Sequence, residues 1–405
     1  MYDDRTARSD GSASTRGYRA EVTTDAHAEV TDAHPDLRAS LDARRDSCPV
    51  EHDGAGTWTL LRHADVVAAA RDPETFSSAA GSHRAIPNSL DGAEHAAYRA
   101  VVDHYLTAVA VAAQEPQCQA HAAAIVDALP RGATVDAIAE VGTPFAVRTQ
   151  VTWLGWPADI EGELVAWMAD NFAATRTGDR ARTAEVAARF DALVGAQIRA
   201  RRDAGEAAPD DVTTQLMHET VHGQPLTDDE AVSILRNWTA GDLGSLAASL
   251  GVLVHRLATH PDRQDVTRDR VARGEHAAIE AAIEEVLRID DPFVANRRRT
   301  TRQVQVGGHT IPAGDRVILN WTAGNRDPDV FGNPDEFRPE ENAPHNLVFG
   351  TGPHVCPGRA LTLMELRVAL TELLRRTERL TPTDAAPIRE QPPSSGWARV
   401  PVVLT

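Results

Sequence analysis

At 405 residues with a formal net charge of −18, the chain is long enough for one large domain or two to three ordinary ones. Its acidic balance, 41 Lys plus Arg against 59 Asp plus Glu, argues against nucleic acid as a general partner. No apolar run approaches the ~18 residues of a bilayer span, no secretory h-region opens the sequence, and Cys48, Cys118 and Cys356 are odd in number and far apart. A reduced, cytoplasmic protein that does not enter a membrane is therefore expected.

Residues 1–35 carry Asp, Arg, Ser, Thr and Ala without an apolar period and are expected to be a mobile tail ahead of one domain over 36–405. The segment GTWTLLRH (56–63) has strand composition, and ADVVAAARD (64–72) that of a short helix stopped by Pro73. From 94 to 288, apolar spacing and alanine content predict helices over 94–112, 116–128, 136–153, 160–175, 182–203, 228–259 and 275–288. After 300 the period shortens. RQVQVGGHTIPAGDRVILNW reads as two or three short strands, followed by a proline-rich stretch, a helix over 359–376 and a closing strand. The fold class expected is mainly α with a minor β part.

Within the 228–259 helix, the run from Trp238 to Leu246 raises a packing problem. Gly241 and Gly244 each cost about 1 kcal/mol against alanine in a helix interior, and a buried, unpaired Asp242 is costly as well. At about 100° per residue, Asn237, Gly241, Gly244, Ser245 and Ala248 share one stripe with little side-chain bulk, along which a ligand could approach the backbone. Leu243 points the opposite way. Asp242 lies at the edge of the stripe, open to solvent, to an arginine or to a substrate.

The stretch FGTGPHVCPGRALTLMELRVAL (349–370) sets Cys356 in a loop with Gly350, Gly352 and Gly358, directly before a predicted helix. Glycines permit tight turns and the close approach of a flat ligand, and a helix N-terminus favours thiolate over thiol. Taken alone, a cysteine at a helix start is more often an ordinary core residue or free thiol. His354, two residues away, need not face the sulfur in so tight a loop.

The spacing Phe349-Gly350-x-Gly352-x-His354-x-Cys356-x-Gly358 resembles the haem-binding signature of the cytochrome P-450 superfamily. Other pieces follow in the same order. They are His95 and Arg99 in DGAEHAAYR, Glu285 and Arg288 in EVLR, Arg298 nine residues before Gly307, and GNRDPDVFGNPDEF (324–337) ahead of the cysteine loop. Singly, each is what a solvated helix face or a charge run would give. Together they extend the resemblance from about residue 48 to the C-terminus. It implies the cytochrome P-450 fold, with haem b held between a long central helix and a Cys-ligand loop. Cys356 would be the axial iron ligand, with Phe349 near the sulfur and Gly358 where the loop enters its helix. His95, Arg99, Arg298 and His354 would hold the propionates, and Glu285 and Arg288 would form a structural ion pair.

The departures from the family pattern are as informative. Members usually present an acid and an alcohol above the haem. This chain has Leu243 and Gly244 in that register, which leaves Gly241, Asp242, Gly244 and Ser245 as the candidate catalytic run. The arginine expected four residues past Phe337 is Glu341, with Arg338 a possible substitute. The segment 100–114 has no lysine or arginine, so docking of ferredoxin (with its reductase) would fall to Arg359, Arg367, Arg375 and Arg376, or hydrogen peroxide would replace it. Substrate-facing positions are expected at Ser82, His83 and Arg84, at Asn237, Trp238 and Ala248, at Phe293, Val294 and Asn296, and at Trp397. The implied activity is O2-dependent oxidation of a specialised small molecule or peptide, by hydroxylation or oxidative aryl coupling, with altered proton delivery. A peroxide-dependent enzyme or a non-catalytic haem- or ligand-binding relative is the rival expectation.

Overall fold

In the computed structural model, which describes residues 36–81, 84–391 and 394–405, the organising element is the helix Asp228–Thr259. Its bounds are those expected. Thr227 Oγ1 accepts from Glu230 N at 3.3 Å while Glu230 Oε2 accepts from Thr227 N at 2.9 Å, which satisfies two otherwise unpaired amides at the helix start. Around this central helix pack Thr143–Leu154, Arg180–Ala204, His276–Ile289 and Arg359–Arg375. The large apolar core lies among them. The expected N-terminal tail lies outside the described residues.

The closest crossing on the central helix is made by glycines other than the two that drew attention in the sequence. A Cβ on Gly251 would stand 2.5 Å from Ile138 Cγ1, and one on Gly142 would stand 2.8 Å from the Ala247 carbonyl oxygen. This contact explains why the helix expected over 136–153 is divided. Thr134–Asp136 is a strand, Ala137–Gly142 is a π-helical turn, and the α-helix begins at Thr143. The wider turn, closed by Thr143 N–H reaching back to the Ile138 carbonyl, carries both Ile138 and Gly142 onto the central helix.

Two other expectations shift. The helix expected over 94–112 ends at His104, and a second runs Ala108–Ala128 after Thr107 Oγ1 caps Ala110 N at 3.3 Å. The helix Pro261–Arg273 was not expected, because only Gln264 and Val271 are buried and no apolar period marks it.

The β part is small. Its main sheet has the order Val50–His52, Thr57–Leu60, Arg316–Asn320, Ala295–Thr300, Phe76–Ser77. Arg316–Asn320 runs parallel to Thr57–Leu60 and antiparallel to Ala295–Thr300, with Val317 opposite Arg298. A three-stranded sheet joins Leu380–Pro382, Pro401–Leu404 and Thr134–Asp136.

Candidate active site

The packing problem in the central helix resolves as an opening. Ala240 and Gly241 are exposed in the middle of a helix whose neighbouring turns are buried, and a Cβ on Gly241 would meet nothing within 4 Å. A Cβ on Gly244 would have only the tip of Phe172 at 3.5 Å. Leu243 is fully buried on the opposite side, as the helical spacing requires. Phe293, in the segment after the helix His276–Ile289, is 45% exposed and Val355, next to Cys356, 36%, so large apolar side chains stand open there.

The cysteine loop is built for the close approach expected of it. Gly350 and Gly352 have φ of +70° and +78°, a region that side chains with a Cβ disfavour. A Cβ on Gly352 would also lie 2.4 Å from the Ala70 carbonyl oxygen, on the helix His63–Arg71. Cys356 N donates to the Phe349 carbonyl at 2.8 Å, which folds the loop back on itself. Burial pushes the Cys356 thiol up, while the amides of Gly358 and Arg359, at the start of the helix Arg359–Arg375, pull it down. Both amides favour the charged sulfur, as donors around a thiolate ligand do.

Beside the loop lies a cluster of cationic and imidazole groups short of anions. In the strand Ala295–Thr300 the alternation of faces turns Arg298 inward and Arg297 and Arg299 outward, so a run that reads as a solvated charge cluster delivers one buried guanidinium. Arg298 is 6% exposed, and among the described residues its side chain donates to the adjacent Arg297 carbonyl alone. Burial lowers its proton affinity, and the charge of Asp91 opposes that shift. The rings of His95 and His354 lie 4.0 Å apart. His354 is depressed to about 4, first by burial and then by the charges of His95 and Arg298. Its Nε2 is 2.9 Å from Ser78 Oγ. Arg99 donates to the carbonyls of Pro353 and Val355 and to Asp103. A buried, unpaired arginine is expensive. This cluster therefore fits a carboxylate-bearing group, and together with a loop thiol and an open helix face the residues present fit a haem.

The Glu285–Arg288 pair is sealed beneath this site, at 1% and 0% exposure. Arg288 Nε and Nη2 grip both oxygens of Glu285 at 2.8 and 2.9 Å, and its remaining donors reach the carbonyls of Asn325, Pro334 and Glu336. The Arg338 guanidinium does not substitute for the missing family arginine. It turns to Glu336 and Glu341, while its backbone N–H donates to Glu285 at 2.9 Å. The missing partner is Asn342, whose Nδ2 donates to Glu285 Oε1 at 2.7 Å.

Comparison with known proteins decides the family. The sequence pattern described as Cytochrome P-450 matches residues 168–404. The chain is 32% identical over 360 residues to "Erythromycin C-12 hydroxylase" of Saccharopolyspora erythraea (84% of this chain, 87% of that protein). It is 31% identical over 345 residues to "Cyclomarin C epoxidase CymV" of Salinispora arenicola (80% and 85%). A solved structure of a mutant of P-450 EryK in complex with erythromycin B superposes with a TM-score of 0.82 at 28% identity, covering 91% of this chain and 96% of that one. The chain belongs to the cytochrome P-450 family. It is a haem-iron monooxygenase of the bacterial type, with the mainly α fold expected.

Within that family frame, several expected substrate positions are corrected. Trp238 does not face the opening; it packs against Trp153 and Tyr105, with ring centroids 5.2 and 5.7 Å away, because it lies on the core side of the helix. Trp397 is sandwiched between His255 and the Arg389 guanidinium. Asn296 accepts from Trp321 Nε1 at 2.8 Å, and Arg84 is exposed and paired with Glu94. Asn237 holds the Ile86 carbonyl at 2.7 Å, so it ties the loop before the His95 helix to the central helix. The Val294 carbonyl is taken by Trp321 N. Phe293 and Ala248 retain open surface. Ser82 and His83 lie outside the described residues.

Asp242 has none of its three expected environments. It is turned into the protein, its Oδ2 has no hydrogen-bond partner, and burial raises its carboxyl well above the ordinary carboxylate range. A second buried acid, Glu365, is 2% exposed on the helix Arg359–Arg375, and burial together with the charge of Asp242 raises its carboxyl as well. Its neighbours Met364, Leu366 and Val368 are all buried.

The basic docking patch considered for the last helix is already neutralised. Arg359 pairs with Glu284 at 2.7 Å and Arg367 with Glu115 and Glu280 at 2.9 and 2.8 Å. Arg376 pairs with Asp127 and Glu372, and Arg375 lies 3.9 Å from Glu372. The sequence contains no lysine to supplement them. No helix among the described residues is long and apolar enough to cross a membrane.

Proposed function

We propose that residues 36–405 act as one haem b domain in the cytoplasm, with Cys356 as the axial ligand, and that the protein hydroxylates or epoxidises a specialised natural product. The observation that carries this reading is the cysteine loop, folded back by Cys356 N on the Phe349 carbonyl with Gly350 and Gly352 at positive φ, together with a central helix that opens at Gly241. Thiolate-ligated haem supplies oxygen activation, the sulfur's electron donation favouring O–O cleavage. The chain's own residues do the rest. Arg298, Arg99, His95 and His354 neutralise the propionates by charge-assisted hydrogen bonds. Asn237 positions the loop at Ile86 over the substrate side of the central helix. Phe293 and Ala248 offer apolar contact to substrate.

Oxygen insertion is preferred to aryl coupling because the matched relatives are named as a hydroxylase and an epoxidase acting on complex natural products. Electrons come from a ferredoxin whose docking depends little on salt, since the arginines of the last helix are paired. The test is a screen of macrolides, cyclic peptides and aromatic amino acids for a substrate-type shift in the haem spectrum. Turnover of the compounds that bind, with a surrogate ferredoxin system and mass analysis, follows. A product heavier by one oxygen is expected. A dehydrogenated, cross-linked product would replace insertion by coupling, and ligand binding without turnover under any reductant or peroxide would overturn the enzymatic reading.

A further inference from the structure

A cavity of about 80 Å3 lies at the C-terminal end of the central helix, and its polar wall is made by Arg38, His255, Arg256, His260, Asp290 and Arg389. Four elements meet there: the central helix, the end of the helix His276–Ile289, the first turn of the helix Leu37–Ser47 and the strand Ile388–Arg389. A water molecule takes about 30 Å3. The space therefore holds a few waters or one compact anion.

Three guanidiniums and one carboxylate face this space. Arg38 holds the neighbouring Asp36 through Nε and Nη2 at 3.0 and 2.6 Å, and Arg389 Nη1 holds both oxygens of Asp290 at 2.7 and 2.9 Å. Those two carboxylates balance those two arginines. Arg256 is left over. It is half-buried, and among the described residues its guanidinium makes no hydrogen bond and no ion pair. Burial lowers its proton affinity, and the charges of Arg263 and Arg38 lower it further, against Asp290 and Asp335. A second group nearby also lacks a partner. The Trp397 indole N–H is buried without an acceptor among the described residues, in the stack where its ring lies 4.1 Å from His255 and 3.6 Å from the Arg389 guanidinium.

A partly buried cation beside like charges is unfavourable until an anion joins it. Guanidinium forks match the oxygens of phosphate in pairs. Arginines from three separate elements call for more acceptor oxygens than the two of a carboxylate, which favours a tetrahedral anion.

We propose that this cavity binds a phosphate-class oxyanion, held by Arg256 together with Arg38 and Arg389, at a site separate from the haem and its substrate. Asp290 stays engaged by Arg389 and limits the affinity. The position gives the site a reach beyond itself. Arg389 and Trp397 lie on the paired strands Ile388–Arg389 and Trp397–Arg399. Gly396, just ahead of the second strand, is packed so that a Cβ would stand 3.3 Å from Pro292 Cβ and 3.4 Å from Val252 Cγ2. An anion joining Arg389 to Arg256 therefore braces these strands against the central helix, beside the segment that carries Phe293.

Calorimetric titration of the full-length, haem-loaded protein with inorganic phosphate, at an ionic strength held constant with chloride, tests the site. One saturable site per chain is expected, with a Kd of about 1 mM or below. Arg256→Gln should weaken binding by about 10- to 100-fold, the worth of one hydrogen bond to a charged group. The haem spectrum of that variant should match wild type, because Arg256 has no partner in the described chain to lose. Arg256→Lys keeps the charge without the fork and should fall between the two. Amide hydrogen exchange at 252–260 and 388–391 should slow on adding phosphate to wild type. In a parallel titration with glycerol phosphate, tighter binding than that of phosphate would name a phosphate ester as the natural group, and weaker binding the free anion. No saturable binding of either compound would overturn the proposal, as would equal affinity in Arg256→Gln or protection confined to other segments.

Discussion

Asn342 Nδ2 donates to Glu285 Oε1 at 2.7 Å, in a place where both members of the Glu285–Arg288 pair are closed to solvent. A neutral amide has taken the position of a charged donor, so Arg288 alone balances the buried carboxylate. Removing one partner of such a pair strands the other charge, which costs about 3–5 kcal/mol. Glu285→Gln should lose stability on that scale and release haem readily. Asn342→Ala should lose about 1–3 kcal/mol, the cost of one unmade bond to a buried group. Denaturant unfolding of the haem-loaded protein measures both, and Glu285→Gln within 1 kcal/mol of wild type would contradict the account.

Arg298 gives a prediction whose sign depends on the ligand. Without haem, its buried guanidinium has no hydrogen-bonded carboxylate among the described residues, so Arg298→Gln should stabilise the protein or leave it unchanged. With haem, the same change should weaken haem retention by roughly 10- to 100-fold, the worth of a hydrogen bond to a charged group. Unfolding of both forms, with haem transfer to an acceptor protein, checks it. Equal destabilisation of both forms would mean that Arg298 serves packing alone.

The long central helix, the cysteine loop and the ion pair were legible because each rests on local rules: periodicity, glycines at tight turns, and acid–base spacing on one helical turn. The inward turn of Arg298 follows from strand alternation once the strand is known. What stayed hidden depends on contacts between distant segments. The π turn at Ala137–Gly142 exists to meet Gly251, more than a hundred positions away. Trp238 and Trp397 went to aromatic stacks because their partners, Trp153 and His255, come from other elements. Glu365 is an acid on a buried helix face, where the apolar spacing of its helix gives no sign of it.

The helix glycines separate by the same logic. Gly251→Ala drives a methyl to within 2.5 Å of Ile138 and should cost about 1–3 kcal/mol. Gly244→Ala has room against Phe172 at 3.5 Å and should gain up to about 1 kcal/mol from helix propensity. Thermal unfolding of the two variants should therefore move in opposite directions; a shift of both in the same direction would refute the crossing described here.

His255 sets an acid-side dependence. Burial first, then the charges of Arg389, His260 and Arg38, hold it at about 4 against an ordinary 6.5, with Asp290 opposing. The unfolded chain therefore binds more protons than the folded one between those values. This contribution to stability is full above about pH 6.5 and is lost as pH falls towards 4, a tenfold difference in proton affinity being worth about 1.4 kcal/mol. His255→Gln should flatten the stability–pH curve in that window. A slope equal to that of wild type would place the titration elsewhere.

The central claim is that Cys356 is the thiolate that holds the haem iron, and the most direct measurement is the carbon monoxide difference spectrum of the reduced protein. The account predicts the long-wavelength Soret band of a thiolate-ligated complex in wild type and in Asp242→Asn, and its disappearance in Cys356→Ala. A thiolate-type band that survives Cys356→Ala, or its absence from a haem-loaded wild-type protein, would contradict it.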